Sequence, residues 1–165
     1  MKGFILYRIS TYLLLFVAAF FAMSVLLYLP MAFANPSLLL VIFLFVCNIV
    51  YAYTSYRFMS KGMIGQMTFK KSFRDLIKVN GYGSIVMGVL ILTNCIYIVN
   101  NPALIEEQVH LMLEMNNMEI DSEVLISIMN KLFIILGIYA SILIIHIFVT
   151  FKLLKKYSYL FDEHI

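Results

Sequence analysis

The sequence predicts an all-α integral membrane protein: a four-helix transmembrane bundle with a short external helical hairpin and a cytoplasmic interfacial amphipathic helix. Three observations predict it. Of the 165 residues, 63% are hydrophobic and 13% are charged, whereas soluble domains run at roughly half apolar and a quarter charged. A soluble domain of this length cannot hide so much apolar surface, and a bilayer removes the need to. Second, four apolar runs come close to the about 20 residues that cross ~30 Å of hydrocarbon. Third, eleven of the twelve Lys and Arg residues fall on one side of those runs, and six of the nine acidic residues fall on the other.

The spans follow in order. Span 1 covers 9–29 and is closed by Pro30. Span 2 covers 37–56 and is opened by the breaker Asn35-Pro36. Span 3 covers 82–99 and is closed by Asn100-Asn101-Pro102. Span 4 covers 132–151. None contains Asp, Glu, Lys or Arg. Each is expected to be helical, because hydrocarbon offers backbone groups no partner outside their own helix.

Charge sets the expected orientation. Lys2 and Arg8 precede span 1, and Arg57, Lys61, Lys70, Lys71, Arg74 and Lys78 lie between spans 2 and 3. Lys152, Lys155 and Lys156 follow span 4, while only Lys131 lies on the opposite side. By the positive-inside rule, both termini and the 57–81 loop are cytoplasmic, and the localisation is the cytoplasmic (inner) membrane. Ala32-Phe33-Ala34 has the small-x-small form of a signal-peptide cleavage site. The apolar run before it exceeds the roughly 7–15 residues of a signal core, so an uncleaved anchor is expected.

Between the spans, 68–80 reads as a basic amphipathic helix. Phe69, Phe73, Leu76 and Ile77 recur at helical spacing, and Lys70, Lys71, Arg74 and Lys78 occupy the other faces. Such a segment suits an anionic leaflet, so these four cations are candidates for lipid or partner binding. The plainer reading is an ordinary positive-inside loop. Gly81 and Gly83 are expected to mark a bend before span 3. The external segment, 101–130, is expected to be a helical hairpin. Asn101 is its candidate N-cap, Pro102 suits the first helical position, and Glu106 and Glu107 sit near the positive end of the helix dipole. Asn116-Asn117 breaks it, and Asp121 then caps a helix that runs on through span 4.

Candidate sites are few. The spans hold Cys47, Asn48, Thr93, Asn94, Cys95 and His146 as polar residues, and such groups are expected to face the bundle interior. At 1.5 Å per residue, Asn48 and Asn94 both lie roughly 17–18 Å from a membrane boundary, which predicts an Asn–Asn hydrogen bond. By the same measure His146 and Tyr51 share a depth, so a His–Tyr contact is expected. Asn48, Asn94, His146 and Tyr51 therefore form a candidate intramembrane polar cluster, read first as structural glue and second as a solute or ion site. On the external side, His110, Met112, Met115 and Met118 carry thioether and imidazole ligands of the kind that favour Cu(I). With eleven Met in the chain, the competing reading is that they pack. Met59, Met63 and Met67, spaced by four, are read as packing. Small residues spaced by four, Ala18 and Ala22, Ser84 and Gly88, Gly137 and Ser141, are expected helix contacts.

Hydrolase, metalloprotease and P-loop motifs are missing. The expected function is therefore non-catalytic, an accessory or assembly partner in the membrane, with no cofactor. A small-solute or copper transporter acting as an oligomer is the alternative, and a membrane-embedded enzyme comes third. The expected partners are the bilayer itself, with its anionic leaflet inside, and another membrane or external protein, not nucleic acid.

Overall fold

The computed structural model describes residues 2–116 and 121–161, and among them the chain is all-helical, without strands. Five α-helices follow in order: α1 Lys2–Ala32, α2 Leu38–Arg57, α3 Lys71–Asn100, α4 Ala103–Asn116 and α5 Ser122–Lys156. A π-helical stretch, Phe58–Ile64, continues α2, and a 3-10 turn, Ser158–Phe161, follows α5. Four of the helical stretches are long and apolar enough to cross a membrane. Three of them contain the expected spans and extend past both ends; the second begins at Leu38, one residue after its expected start, and runs on to Ile64.

The extensions have local causes. Pro30 lies inside α1 rather than ending it. So near the C-terminus its missing N–H and ring disturb only the last turns. The chain then bends at Asn35, whose Oδ1 accepts from the Ser37 backbone N–H at 3.2 Å and from the Ser37 hydroxyl at 2.6 Å. The basic segment is not a separate interfacial helix. Residues 71–80 are the first turns of α3, which runs through Gly81 and Gly83 as one uninterrupted helix. Those two glycines instead allow close approach. A Cβ on Gly83 would stand 2.7 Å from Cys47 Sγ, and one on Gly81 would stand 2.9 Å from the Phe151 ring. Gln66, at φ 52°, takes a left-handed conformation where the chain leaves the π-helical stretch, and its side-chain amide donates to the Met63 carbonyl at 3.0 Å.

At the far end of α3, Asn101 closes that helix rather than capping α4, since its side-chain amide donates to the Tyr97 carbonyl at 2.8 Å. Asp121 caps α5 as expected: its Oδ1 accepts from the Glu123 N–H at 2.9 Å. α5 then runs 35 residues without interruption, about 52 Å.

The chain forms two compact units. The first holds Met1–Met87 and Ile142–Ile165, so α1, α2, the early part of α3 and the late part of α5 pack there. Its core includes Leu14, Tyr51, Phe58, Met59, Ile77, Leu143, Ile147 and Leu154, all buried. Met59 and Met63 are buried with them, while Met67 is exposed. The second unit, Gly88–Ser141, holds the rest of α3, all of α4 and the early part of α5. There α4 buries Ile105 and Val109, and a cavity of about 260 Å³ lies among residues that include Asn94, Tyr97, Gln108 and Phe133.

Candidate functional site

The first unit contains an interior cluster of six polar side chains supplied by three helices. Each helix contributes two residues four apart, Tyr7 and Thr11 from α1, Tyr51 and Ser55 from α2, and His146 and Thr150 from α5. A spacing of four places both members of a pair on one helix face. All six side chains are buried, and buried polar groups are costly unless hydrogen-bonded.

The bonds are made largely within the set. His146 Nε2 lies 2.9 Å from Thr11 Oγ1, and Nδ1 lies 2.8 Å from the Tyr51 hydroxyl. Tyr51 also donates to Thr150 Oγ1 at 2.9 Å. Tyr7 OH reaches Ser55 Oγ and Thr150 Oγ1, each at 3.2 Å. The Tyr7 ring stacks on the imidazole, with centroids 4.7 Å apart and planes 2° from parallel. Tyr51 meets the same ring edge-on at 5.9 Å.

Proton counting assigns the tautomer. The single Thr11 hydroxyl proton goes to the Tyr7 carbonyl at 2.7 Å, so Thr11 Oγ1 can only accept from His146. Nε2 therefore carries the imidazole proton and Nδ1 accepts from Tyr51. Thr150 donates to the His146 carbonyl at 2.8 Å. The Tyr51 proton is thus shared between two acceptors, Nδ1 and Thr150 Oγ1. Hydroxyl and imidazole lie side by side here, but the Thr11 proton is turned away from the imidazole, the Tyr51 proton is shared with Thr150, and no carboxylate is among the six. The arrangement suits holding helices together better than activating a nucleophile.

The expected polar cluster is divided by the structure. Tyr51 and His146 meet. Asn48 is fully buried in the same unit. Asn94 belongs to the second unit, is exposed, and turns its amide onto the Leu90 carbonyl of its own helix at 2.8 Å. Depth along a helix says nothing about which way a side chain faces, and Asn94 faces outward within its own unit. Tyr7, Thr11, Ser55 and Thr150 escape a reading of single residues. Their signal in the sequence is the pairing of polar residues four apart on three spans.

Three of the four proposed metal ligands, His110, Met112 and Met115, sit on α4. His110 and Met115 are exposed, and Met118 lies outside the described residues. At 100° per residue, His110 and Met112 point about 200° apart on one continuous helix, so they cannot share an ion. Among the described residues no group of three or more His, Cys, Asp or Glu side chains converges.

Of the four basic candidates, Lys70 lines a groove with Arg57. Arg74 faces Asp75 at 3.7 Å. Lys71 begins α3, and Lys78 lies two turns further on. A second groove, about 530 Å³, runs between α1 and α5 beside the polar cluster. Leu6, Ile9, Leu13, Ile142, Ile145 and Val149 line it, together with Tyr7, Ser10 and His146. Compared with protein-family models, curated proteins and solved structures, the chain matches none.

Proposed function

We propose that this chain is a non-catalytic, multi-pass protein of the cytoplasmic membrane, acting as an accessory or assembly partner. One observation carries the reading: the six clustered polar side chains, Tyr7, Thr11, Tyr51, Ser55, His146 and Thr150, are bonded to one another and to their own helices. In lipid such bonds act as glue between helices. A solute pathway or a catalytic centre would instead keep polar groups available to its substrate. The apolar outer faces of the four candidate spans support insertion.

Tagged and solubilised from its native membrane in mild detergent, the chain is expected to run in a discrete complex with a stoichiometric membrane-protein partner. A lone monomer whose reconstituted vesicles pass a solute, with flux lost in His146→Leu, would sink the reading in favour of a transporter.

The same reading places both termini and the 57–81 segment in the cytoplasm, with the 101–130 hairpin outside, because the basic residues flank one set of helix ends. Met115 is 82% exposed on α4, whereas the native cysteines, Cys47 and Cys95, are buried. A Met115→Cys variant in intact cells is therefore expected to react with a membrane-impermeant maleimide. Labelling seen only after permeabilisation would reverse the orientation.

A further inference from the structure

We propose that the groove between the end of α2 and the start of α3 binds the phosphate headgroup of an anionic phospholipid, with the lipid's upper acyl chain lying against the apolar side of the same groove. This rests on the membrane insertion proposed above but not on the assembly role. The groove encloses about 520 Å³. Arg57, Lys70 and the hydroxyl residues Thr68 and Ser72 line it together with Phe69, Phe73 and Leu76. Two cations, two hydroxyls and three apolar side chains in one groove match the chemistry of a phospholipid, whose charged headgroup adjoins hydrocarbon.

Charge complementarity supports that occupant. No acidic residue lines the groove. The one ion pair recorded among the described residues, Arg74 with Asp75, involves neither Arg57 nor Lys70. Both cations are exposed, and the Arg57 guanidinium is held 5.6 Å above the Phe73 ring. A guanidinium fixed in this way offers a planar donor fork suited to phosphate oxygens.

The wall behind them is fixed. Phe69 stacks on Phe73 at 4.5 Å and on Phe161 at 6.0 Å. Its backbone N–H is tied to the Leu160 carbonyl at 2.7 Å. Position selects a lipid over a soluble anion. Arg57 is the first charged residue met along Leu38–Ile64, a helical stretch long and apolar enough to cross a membrane. That depth is where headgroup phosphates are most concentrated, and a free anion would leave Phe69, Phe73 and Leu76 uncovered.

The test uses the full-length protein in neutral-detergent micelles with fluorescent phosphatidylglycerol or phosphatidylcholine as probe. Phosphatidylglycerol is expected to bind more tightly and to weaken as salt rises. Each cation is worth about fivefold, so Arg57→Gln with Lys70→Gln is expected to weaken binding about 25-fold. Lys70→Glu alone, at an exposed position that folding does not need, is expected to weaken it by at least fivefold. Lys155→Gln with Lys156→Gln, exposed cations at the end of α5, is expected to change it less than about twofold. Equal binding of the two lipids, or an equal loss in the α5 variant, would overturn the proposal. So would displacement of the lipid by millimolar inorganic phosphate, which would assign the groove to a soluble anion.

Discussion

Replacing His146 by Leu is expected to destabilise the folded chain by about 2 kcal/mol in reversible denaturant titration in mixed micelles. Two contributions make up that figure. The ring bridges α1 and α2 through bonds of 2.9 Å to Thr11 and 2.8 Å to Tyr51, and each such interhelical bond in a membrane protein is worth roughly 0.6 kcal/mol. It also stacks face to face on Tyr7 at 4.7 Å, and a ring pair of this kind adds about 0.5–1.5 kcal/mol. The loss is limited because the partners keep other bonds: Thr11 retains the Tyr7 carbonyl, and Tyr51 retains Thr150.

A double-mutant cycle with Tyr51→Phe isolates the shared bond and is expected to return a coupling of about 0.5–1 kcal/mol. If His146→Leu matches the wild type in stability and the cycle shows no coupling, the imidazole is not holding these helices. The proposed role of the cluster would then fail with it.

Gly83→Ala is expected to cost about 1–3 kcal/mol, the range for forcing an extra carbon into a packed interior. The added Cβ would lie 2.7 Å from Cys47 Sγ and 2.9 Å from Cys47 Cβ. Sγ can move by rotation about χ1, but Cβ is fixed to the α2 backbone and cannot swing aside. Gly81→Ala meets a different neighbour, the Phe151 ring edge at 2.9 Å. A ring edge can tilt, so the cost there is expected to be smaller.

Cys47→Gly removes both clashing atoms. In that background the penalty of Gly83→Ala, measured by the same titration, is expected to fall by more than half. Strictly additive effects of Gly83→Ala and Cys47→Gly would show that α2 and α3 do not meet at this point.

Much of the fold can be read without coordinates, for a simple reason. Whether a segment is long and apolar enough to span a bilayer depends on that segment alone. So does capping: Asp121 starts α5 by bonding to an amide two residues on. The misreadings have the opposite character. Gly81 and Gly83 look like hinges when only local propensity is weighed. In the structure Phe151 and Cys47, far away in the chain, pack against the surface those glycines leave bare, and the helix continues through them. Asn101 has a capping side chain that could serve either neighbouring helix, and it serves the one before it.

The candidate site divides along the same line. His146 and Tyr51 pair in the structure as their matched depths suggest, and Asn94 does not follow its depth because it faces another way. Tyr7, Thr11, Ser55 and Thr150 become visible only once three helices are set side by side. Arg57 and Lys70 are thirteen positions apart in the chain and share one groove because the π-helical stretch and the following turn bring α3 back to the end of α2. By itself the sequence determined the all-helical class, the candidate spans and their charged ends, since each of these is a sum over neighbouring residues. Only the tertiary structure decided which polar groups face one another and which glycines are contacts, since those depend on the rotation of each helix about its axis, and hydrophobicity constrains that rotation weakly when most faces are apolar.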